Sequence, residues 1–468
     1  MGNTDSKKEN KDNKEKNLWE IYDDTQLKEL ETFNEAYKAF LDAGKTEREC
    51  VTEIVRQAEE AGYRNLYSTD SLKAGDKVYA AWMEKSIALF NIGEEPLEQG
   101  MNILGAHIDS PRLDLKQNPL YEDGGFAYFD THYYGGIKKY QWVTIPLSIH
   151  GVIVRKDGTK EVISIGENES DPVFVITDLL VHLSSKQMEK TAAKVVEGEK
   201  LDILMGSRPL GGEEKDAAAA RIMKLLEDTY HIERDDLMSA ELEVVPAGRA
   251  RDCGLDKSMV MAYGQDDRIC AYTSLKAMLD VDKVNRTSCC ILVDKEEIGS
   301  VGATGMHSRF FENAVADMFD KLGGFTELKL RRALAYSTMI SSDVSAAYDP
   351  MYTEVYDKKS TSFFGKGPVF CKYTGRGGKS GSNDANAEYI AKLRKIFDEC
   401  KVHFQMAELG KVDAGGGGTI AYILAQYGME VIDGGVAVLS MHAPWEISSK
   451  ADVYEAYRGY CAFLKKMR

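Results

Sequence analysis

The chain has 468 residues, of which 43% are hydrophobic, and carries a formal net charge of −16 at pH 7. A chain of this length can bury a large core and is expected to divide into two domains. The negative charge disfavours nucleic acid or an anionic membrane surface as the main partner.

The eight cysteines include no Cys-x-x-Cys pair. This spacing predicts reduced thiols in a reducing compartment rather than a disulfide framework. No apolar run approaches the roughly 20 residues that span a bilayer, and the first residues lack the apolar core of a signal peptide. We therefore expect a soluble, cytoplasmic protein that partners neither a membrane nor nucleic acid.

Residues 1–16 are nearly all polar or charged and are predicted to form a flexible tail. Residues 1–6, MGNTDS, match the minimal pattern for N-myristoylation, which is short enough to arise by chance. Residues 25–61 then show apolar residues at helical spacing, including Leu27, Leu30 and Phe33. This spacing predicts two amphipathic helices that belong to the scaffold.

Residues 111–246 differ from the rest of the chain in their pattern of elements. Strands are predicted around residues 141–155 and 161–165, and helices near 178–190 and 217–228. We therefore interpret residues 111–246 as a separate, mixed α/β domain.

Residues 260–468 alternate strand-like runs with helical patterns. This alternation predicts an α/β domain with a mostly parallel sheet and helices on both faces. Residues 17–110 and 247–468 are expected to form this domain together, with the segment 111–246 inserted between them.

Five short segments together indicate a two-metal hydrolase. They are residues 105–111 (GAHIDSP), 265–268 (QDDR), 294–300 (DKEEIGS), 342–344 (SDV) and 440–442 (SMH). In four of them a side chain that can bind metal comes at or just past the end of an apolar, β-rich run. Open α/β sheets place their ligands at such strand ends.

Each acidic or histidine residue also has a simpler interpretation. His107 could merely end a strand, but residues two apart on a strand share a face, so Asp109 can reach the ring nitrogen of His107 that does not bind metal. Asp266 and Asp267 could cap the helix that follows them. Alternatively, one of these two carboxylates bridges two metals while the other supports the turn.

Glu296 and Glu297 could belong to a solvated acidic loop. Because consecutive side chains cannot face the same way, one of them can instead hold a metal while the other acts as a general base toward the attacking water. Asp343 and His442 each follow an apolar run and are weak signals when taken singly.

Counting ligands completes a dinuclear site. His107 and Asp343 would bind one ion, Glu297 and His442 the other, and Asp266 would lie between the two. Each ion would then have three protein ligands and room for water, and this set of nitrogen and oxygen donors suits catalytic zinc. We expect two Zn²⁺ per subunit, which Co²⁺ or Mn²⁺ could replace.

These segments resemble the aspartyl aminopeptidase family of dinuclear zinc aminopeptidases over most of the chain after the tail. Residues 265–268 (QDDR) replace the Leu-Asp-Asn-Leu form common in eukaryotic members, and residues 441–446 (MHAPWE) replace their Met-His-Ser-x-Arg-Glu. The differences suggest a bacterial-type branch. They leave open whether acidic N-terminal residues are preferred.

The resemblance implies a metalloaminopeptidase that releases the N-terminal residue of peptide substrates. It implies the same bridging role for Asp266, a general base at Glu296 and a supporting role for Asp109 beside His107. The implied metal ligands are His107, Asp266, Glu297, Asp343 and His442.

The inserted segment resembles the family's dimerisation domain, which implies a homo-oligomer, a dodecamer built from dimers. His182 is the nearest match to a histidine that reaches a neighbouring subunit's active site in the family, although it could be an ordinary polar residue on a helix. Lys372 matches a position that can contact an acidic substrate side chain, and a surface lysine is the simpler interpretation.

Three alternatives stay open at this point. Another dinuclear zinc amide hydrolase, such as a deacylase or a carboxypeptidase-like enzyme, would use the same ligands. A nucleotide-dependent enzyme is disfavoured because residues 375–380 (GRGGKS) fit a phosphate-binding loop only if Tyr373 were glycine. A noncatalytic cage protein would have no need of the pair Glu296 and Glu297.

Overall fold

The computed structural model describes residues 16–375 and 377–468. The tail predicted for residues 1–16 therefore lies outside the described residues except for Lys16, as does the myristoylation pattern. The chain divides into two compact units. Unit 1 comprises the described residues of Met1–Asp109, Ala250–Met441 and Glu446–Arg468, and unit 2 comprises Ser110–Arg249 and His442–Trp445.

The strands are numbered in chain order. They are β1 (Arg64–Asn65), β2 (Lys77–Trp82), β3 (Ser86–Asn91), β4 (Asn102–His107), β5 (Arg112–Asp123), β6 (Phe126–Tyr134), β7 (Leu147–Val154), β8 (Lys160–Ile165), β9 (Ile203–Gly206), β10 (Ala240–Pro246), β11 (Arg251–Cys253), β12 (Met259–Ala262), β13 (Ser288–Val293), β14 (Thr338–Ser341), β15 (Ser345–Ala346), β16 (Val369–Cys371), β17 (Gln405–Met406), β18 (Glu430–Gly435), β19 (Ala437–Leu439) and β20 (Glu446–Ser449).

The helices follow the same convention. They are α1 (Leu18–Ile21), α2 (Asp24–Ala43), α3 (Glu47–Glu60), α4 (Ser185–Met188), α5 (Ala192–Val195), α6 (Ala217–Tyr230), α7 (Gln265–Asp280), α8 (Phe310–Lys321), α9 (Glu327–Ala335), α10 (Ala387–Cys400), α11 (Ala421–Ala425) and α12 (Lys450–Lys466). Short 3₁₀ segments lie at Leu66–Ser68, Leu97–Gln99, Lys139–Gln141, Val181–Leu183, Gly198–Lys200, Arg234–Ser239, Glu296–Ile298 and Pro350–Val355.

Unit 1 is built on a nine-stranded sheet with the order β1-β2-β3-β13-β4-β14-β18-β16-β17. The central strands β13, β4, β14 and β18 are parallel, so the α/β class is confirmed. The flanks include antiparallel pairs, because β2 and β3 form a hairpin whose loop residues Met83 and Glu84 have left-handed dihedral angles. A second, five-stranded sheet has the order β11-β12-β20-β19-β15.

Helices cover both faces of the central sheet. Leu104 and Ala106 of β4 pack into a core formed largely with α2, α7, α10 and α12. Met101 and Ile103, on the other face, pack into a core formed with α8, α9 and α11. Strands buried on both faces must be continuously apolar, and this requirement explains the uninterrupted apolar runs at residues 103–106 and 289–293.

The two helices predicted in residues 25–61 are α2 and α3. Each begins with a capping box, from Asp23 to Gln26 in α2 and from Thr46 to Glu49 in α3. These reciprocal hydrogen bonds satisfy backbone N–H groups that have no partner within the helix.

Unit 2 contains a six-stranded sheet with the order β8-β7-β10-β5-β6-β9, in which every pair is antiparallel. The continuous helix predicted near residues 178–190 is wrong, since the chain forms a 3₁₀ turn and the four-residue helix α4 there. Leu180, Val181 and Leu183 are exposed. A short helix without a packed apolar face is only marginally stable.

Helix α6 of unit 2 is capped by a side chain from β5. One carboxylate oxygen of Glu122 accepts hydrogen bonds from the backbone N–H of Ala218, at 2.7 Å, and of Ala219, at 3.0 Å. A negative charge at this position also complements the helix dipole. In the part of the chain that the structure describes, none of the helices combines the length and apolar character that crossing a membrane requires.

We expect the change Glu122→Ala to destabilise the first turn of α6 by about 1 kcal/mol, because two backbone donors lose their acceptor. The measurement is hydrogen exchange at residues 218–222, which should become roughly fivefold faster. The exposed Glu213→Ala is the matched control. Equal exchange rates in the two variants would contradict the capping role.

Candidate functional site

Three parallel strands of unit 1 bring the predicted residues to one edge of the sheet. Strand β4 lies between β13 and β14, with His107 level with Val293 and Gly105 level with Ser341. The segments that continue from these strand ends carry Asp109, the pair Glu296 and Glu297, and Asp343. This edge is the usual place for a ligand site in an open α/β sheet.

His107 is buried and has a defined orientation. Its Nδ1 lies 2.9 Å from the backbone carbonyl oxygen of Asp109 and 3.3 Å from the Asp109 Oδ1. Because a carbonyl oxygen can only accept, Nδ1 donates. Nε2 faces the acidic groups, 3.2 Å from Asp266 Oδ1 and 3.8 Å from Glu296 Oε2.

The charges around His107 control its protonation. Burial alone would lower the pKa of His107, but hydrogen bonds to Asp109 and Asp266 and the charge of Glu296 raise that pKa well above its ordinary value. The histidine therefore lies in a strongly negative environment that favours a positive charge at Nε2 or beside it.

Asp109 makes contacts that the sequence pattern did not predict. Its Oδ1 accepts from the backbone N–H of Glu296 at 3.1 Å, and its Oδ2 accepts from that of Glu297 at 3.2 Å. These residues start a 3₁₀ turn after Lys295, whose φ of 70° is left-handed. Asp109 thus joins the end of β4 to the turn after β13, and an acid facing a helical N-terminus is a known preference.

Asp266 is held from the second sheet of unit 1. Its backbone N–H donates to Glu446 Oε2 at 3.0 Å, and Gln265 Nε2 donates to the Glu446 carbonyl oxygen at 2.7 Å. The Asp266–Asp267 peptide bond is cis, and both residues have non-helical dihedral angles ahead of the regular part of α7. Asp267 Oδ2 accepts a long hydrogen bond, 3.4 Å, from the backbone of His107.

Asp343 follows β14 at the same edge. Removal from water, reinforced by the charge of Asp267, raises the pKa of Asp343 well above its ordinary value. A side chain at Gly435 would place a Cβ atom 2.1 Å from the carbonyl oxygen of Asp343 and 2.7 Å from Cys270 Sγ. Only glycine therefore fits beside Asp343.

These groups fit a divalent cation. Ligand atoms of His107, Asp266 and Asp343 all lie within 4.8 Å of one another, and so do those of His107, Glu296 and Glu297. Four carboxylates gathered around one histidine repel one another unless a cation neutralises them. Nitrogen and oxygen donors of this kind suit zinc, and carboxylates also accept harder ions such as Mn²⁺.

His442 lies in the short segment that groups with unit 2. Its Nδ1 donates to the carbonyl oxygen of Gly136 at 2.9 Å, which fixes Nε2 as the nitrogen that can bind a metal. His442 and Ser440 have φ values of 65° and 59°. Left-handed dihedral angles at residues other than glycine are strained and cluster at functional sites.

The two residues assigned to substrate binding lie in different surroundings. His182 is exposed in the 3₁₀ turn Val181–Leu183 of unit 2. Lys372 is exposed just after β16, a strand that runs antiparallel to β18. Since Cys371 pairs with Asp433, the chain at Lys372 runs away from the edge that carries Asp343. Both assignments remain predictions.

A family model, a sequence relative and solved structures all match this chain to one family of proteins. Residues 40–464 match the family described as aminopeptidase I zinc metalloprotease (M18). A probable M18 family aminopeptidase 1 of Clostridium acetobutylicum is 62% identical over 454 residues, covering 96% of this chain and 98% of that protein. The crystal structure of an M18 family aminopeptidase from Thermotoga maritima has a TM-score of 0.94 at 45% identity and covers 97% of this chain and 99% of that one. The mApe1 dodecamer of S. cerevisiae, at 20% identity, shares the fold with a TM-score of 0.73, over 92% of this chain and 95% of that one.

The change Asp109→Asn should weaken metal binding and activity by about 10- to 100-fold, the usual effect of altering a partner of a metal-binding histidine. The amide retains one acceptor oxygen but cannot accept from both backbone donors. Zinc affinity and kcat are measured beside Asp123→Asn, an exposed control. Unchanged zinc affinity would contradict a supporting role for Asp109.

The change Gly435→Ala should displace Asp343, because the added methyl group meets a backbone oxygen that cannot rotate away. Overpacking of this kind costs about 1–3 kcal/mol. Zinc content after dialysis and the thermal unfolding midpoint should both fall, whereas Gly211→Ala, which adds a methyl group in open space, should match the wild type. Full zinc retention in Gly435→Ala would show that Asp343 does not depend on this contact.

Proposed function

Because the chain belongs to the M18 family of zinc metalloproteases, and is therefore a zinc-dependent aminopeptidase, we propose that it releases the N-terminal residue of peptides at the edge formed by β13, β4 and β14. The observation that carries the proposal is the close group of His107, Asp266 and Asp343 beside Glu296 and Glu297. The alternatives of a nucleotide-dependent enzyme and a noncatalytic cage protein have no comparable support.

We assign His107 and Asp343 to one zinc ion, Glu297 and His442 to a second, and Asp266 to both. Two such ions would lower the pKa of a bound water to about 7 and would polarise the scissile carbonyl. Co²⁺ or Mn²⁺ could replace zinc at the same donors. The negative charge of the group and the orientation of Nε2 in His107 support this assignment.

Glu296 is the proposed general base. Its backbone is fixed by Asp109, and its Oε2 lies 3.8 Å from His107 Nε2, so the carboxylate faces the group of ligands. Glu296 would take a proton from the attacking water and later pass it to the leaving amine. Asp109 acts indirectly, by holding Glu296 and His107 in position.

Chain connectivity supports His442 as a ligand. The residue lies between β19 and β20, and Glu446, which accepts from the backbone of Asp266, comes four residues later. Four residues span at most about 14 Å, so the chain itself limits how far His442 can lie from Glu446. Its Nδ1 contact with Gly136 leaves Nε2 in the tautomer that binds a metal.

For the substrate, we propose that the free α-amine is recognised next to the metals and that Lys372 gives a preference for acidic N-terminal residues. His182 is proposed to act across a subunit interface. Exposed apolar residues around His182, namely Leu179, Leu180, Val181, Leu183 and Met188, support a contact with another copy of the chain. We propose that unit 2, which corresponds to the predicted inserted segment 111–246, is a dimerisation domain of a homo-oligomer.

The proposed assembly is a dodecamer built from dimers, and mApe1 of S. cerevisiae, which shares the fold, forms a dodecamer. The proposed location is the cytoplasm. The eight cysteines are reduced thiols, which accords with a reducing compartment.

The change Glu296→Gln should lower kcat by about 10²- to 10⁴-fold, since the amide cannot accept the proton of the attacking water. Zinc content should stay at the wild-type value because the change leaves the assigned ligands in place. The exposed Glu354→Gln is the control. Activity near that of the wild type in Glu296→Gln would exclude this residue as the base.

Release of free amino acid from peptides with acidic, apolar and basic N-terminal residues tests the activity itself. We expect release that a zinc chelator abolishes and that acetylation of the N-terminus prevents. Comparable hydrolysis of acetylated peptides would favour the alternative of another amide hydrolase.

A preference for acidic residues that disappears in Lys372→Ala would support the role of Lys372, and an unchanged preference would contradict it.

A further inference from the structure

Tyr460 of α12 lies directly behind the loop that carries Asp343. The side chain is fully buried. Its hydroxyl forms a hydrogen bond with Ser342 Oγ and donates to the carbonyl oxygen of Gly434 at 3.3 Å. Tyr460 thus joins the loop after β14 to the end of the neighbouring strand β18.

Each of the two residues that Tyr460 contacts comes immediately before a residue of the Asp343 site. Ser342 precedes Asp343, and Gly434 precedes Gly435, which has room only for hydrogen beside the carbonyl oxygen of Asp343. The backbone N–H of Ser342 also donates to the carbonyl oxygen of Gly105 in β4 at 2.6 Å. Ser342 is therefore held from both sides, and the orientation of Asp343 follows from it.

A hydroxyl buried in this way is costly to leave without a hydrogen bond. Burial raises the pKa of Tyr460 well above its ordinary value, and the nearby Cys270 raises it further, so the hydroxyl keeps its proton. Phenylalanine would fill the same space, and Tyr460 is neither one of the proposed metal ligands nor the proposed base. The hydroxyl therefore contributes hydrogen bonds and not packing volume.

We propose that Tyr460 is a positioning residue, which holds Ser342 and Gly434 so that Asp343 is fixed for metal binding. This inference rests on the proposed function, because it takes Asp343 to be a zinc ligand. Its effect is expected at the metal shared by His107 and Asp343, and not at the one assigned to Glu297 and His442.

Tyr389 provides a matched control. It is also fully buried, and its hydroxyl donates to the carbonyl oxygen of Met339 on β14 at 2.9 Å. Met339 lies four residues before Asp343 and two before the end of the strand. Both Tyr→Phe changes remove one buried hydroxyl near β14, but only Tyr460→Phe removes a contact to the Asp343 loop.

The experiment is a competitive zinc titration of the full-length wild type, Tyr460→Phe and Tyr389→Phe against a chelator, with thermal unfolding measured in parallel. We expect two zinc ions in the wild type and a loss of affinity of about 10-fold or more at one site in Tyr460→Phe. Tyr389→Phe should bind both ions as the wild type does. Equal zinc affinities in the two variants would overturn the role of Tyr460.

Two further variants separate this inference from the proposed function. Ser342→Ala removes the same hydrogen bond from the other side, so its effect should not add to that of Tyr460→Phe in the double variant. Full additivity would overturn the positioning role. Asp343→Asn should weaken the same site more strongly. If it left both zinc affinities unchanged, the ligand assignment would fail, and the role of Tyr460 with it.

Discussion

The crowding of carboxylates around His107 is the constraint on which the rest of the site depends. Asp266, Asp343, Glu296 and Glu297 converge on one histidine at the end of a buried sheet, and each would be more stable apart from the others. Only an architecture fixed by other interactions can hold them together before a cation arrives. The parallel strands β13, β4 and β14 supply that architecture. Their register is set by apolar runs, and burial of these runs stabilises the sheet by more than the repulsion among the carboxylates destabilises it.

Individual contacts then set the direction of each acid. Asp109 uses both of its oxygens to hold the turn of Glu296 and Glu297, and Glu446 holds the backbone of Asp266. Most of these contacts are made to backbone N–H groups, which have defined positions and no rotamers to order. The acids that would bind metal therefore keep their side chains available while their main chain is held in place.

Much of this could be predicted from the sequence, because apolar runs and the polar residues at their ends are local signals. The α/β class and the group of residues at the strand ends are examples. The absence of a continuous helix at residues 178–190 could not be predicted, because the sequence pattern does not show that the segment lacks a packed face to stabilise a helix. Nor could the contacts of Asp109 with Glu296 or of Tyr460 with Ser342, because they depend on strand register and on residues more than a hundred positions apart. The functions of His182 and Lys372 stay predictions for a related reason, since a substrate contact leaves no periodicity in the chain.

The position of unit 2 in the chain also bears on the order of folding. Unit 2 begins directly after Asp109 and separates it from Ala250 by about 140 residues, a long loop whose closure opposes the pairing of β4 with β13. Within unit 2, however, β5 pairs with β10, so that Leu113 lies opposite Val244 near the two ends of the insertion. Once this pairing has formed, the connection between β4 and β13 is shortened from about 180 residues to about 50, which lowers the closure cost by about 1 kcal/mol. A segment that contributes none of the acids around His107 thereby assists the folding of the unit that carries them.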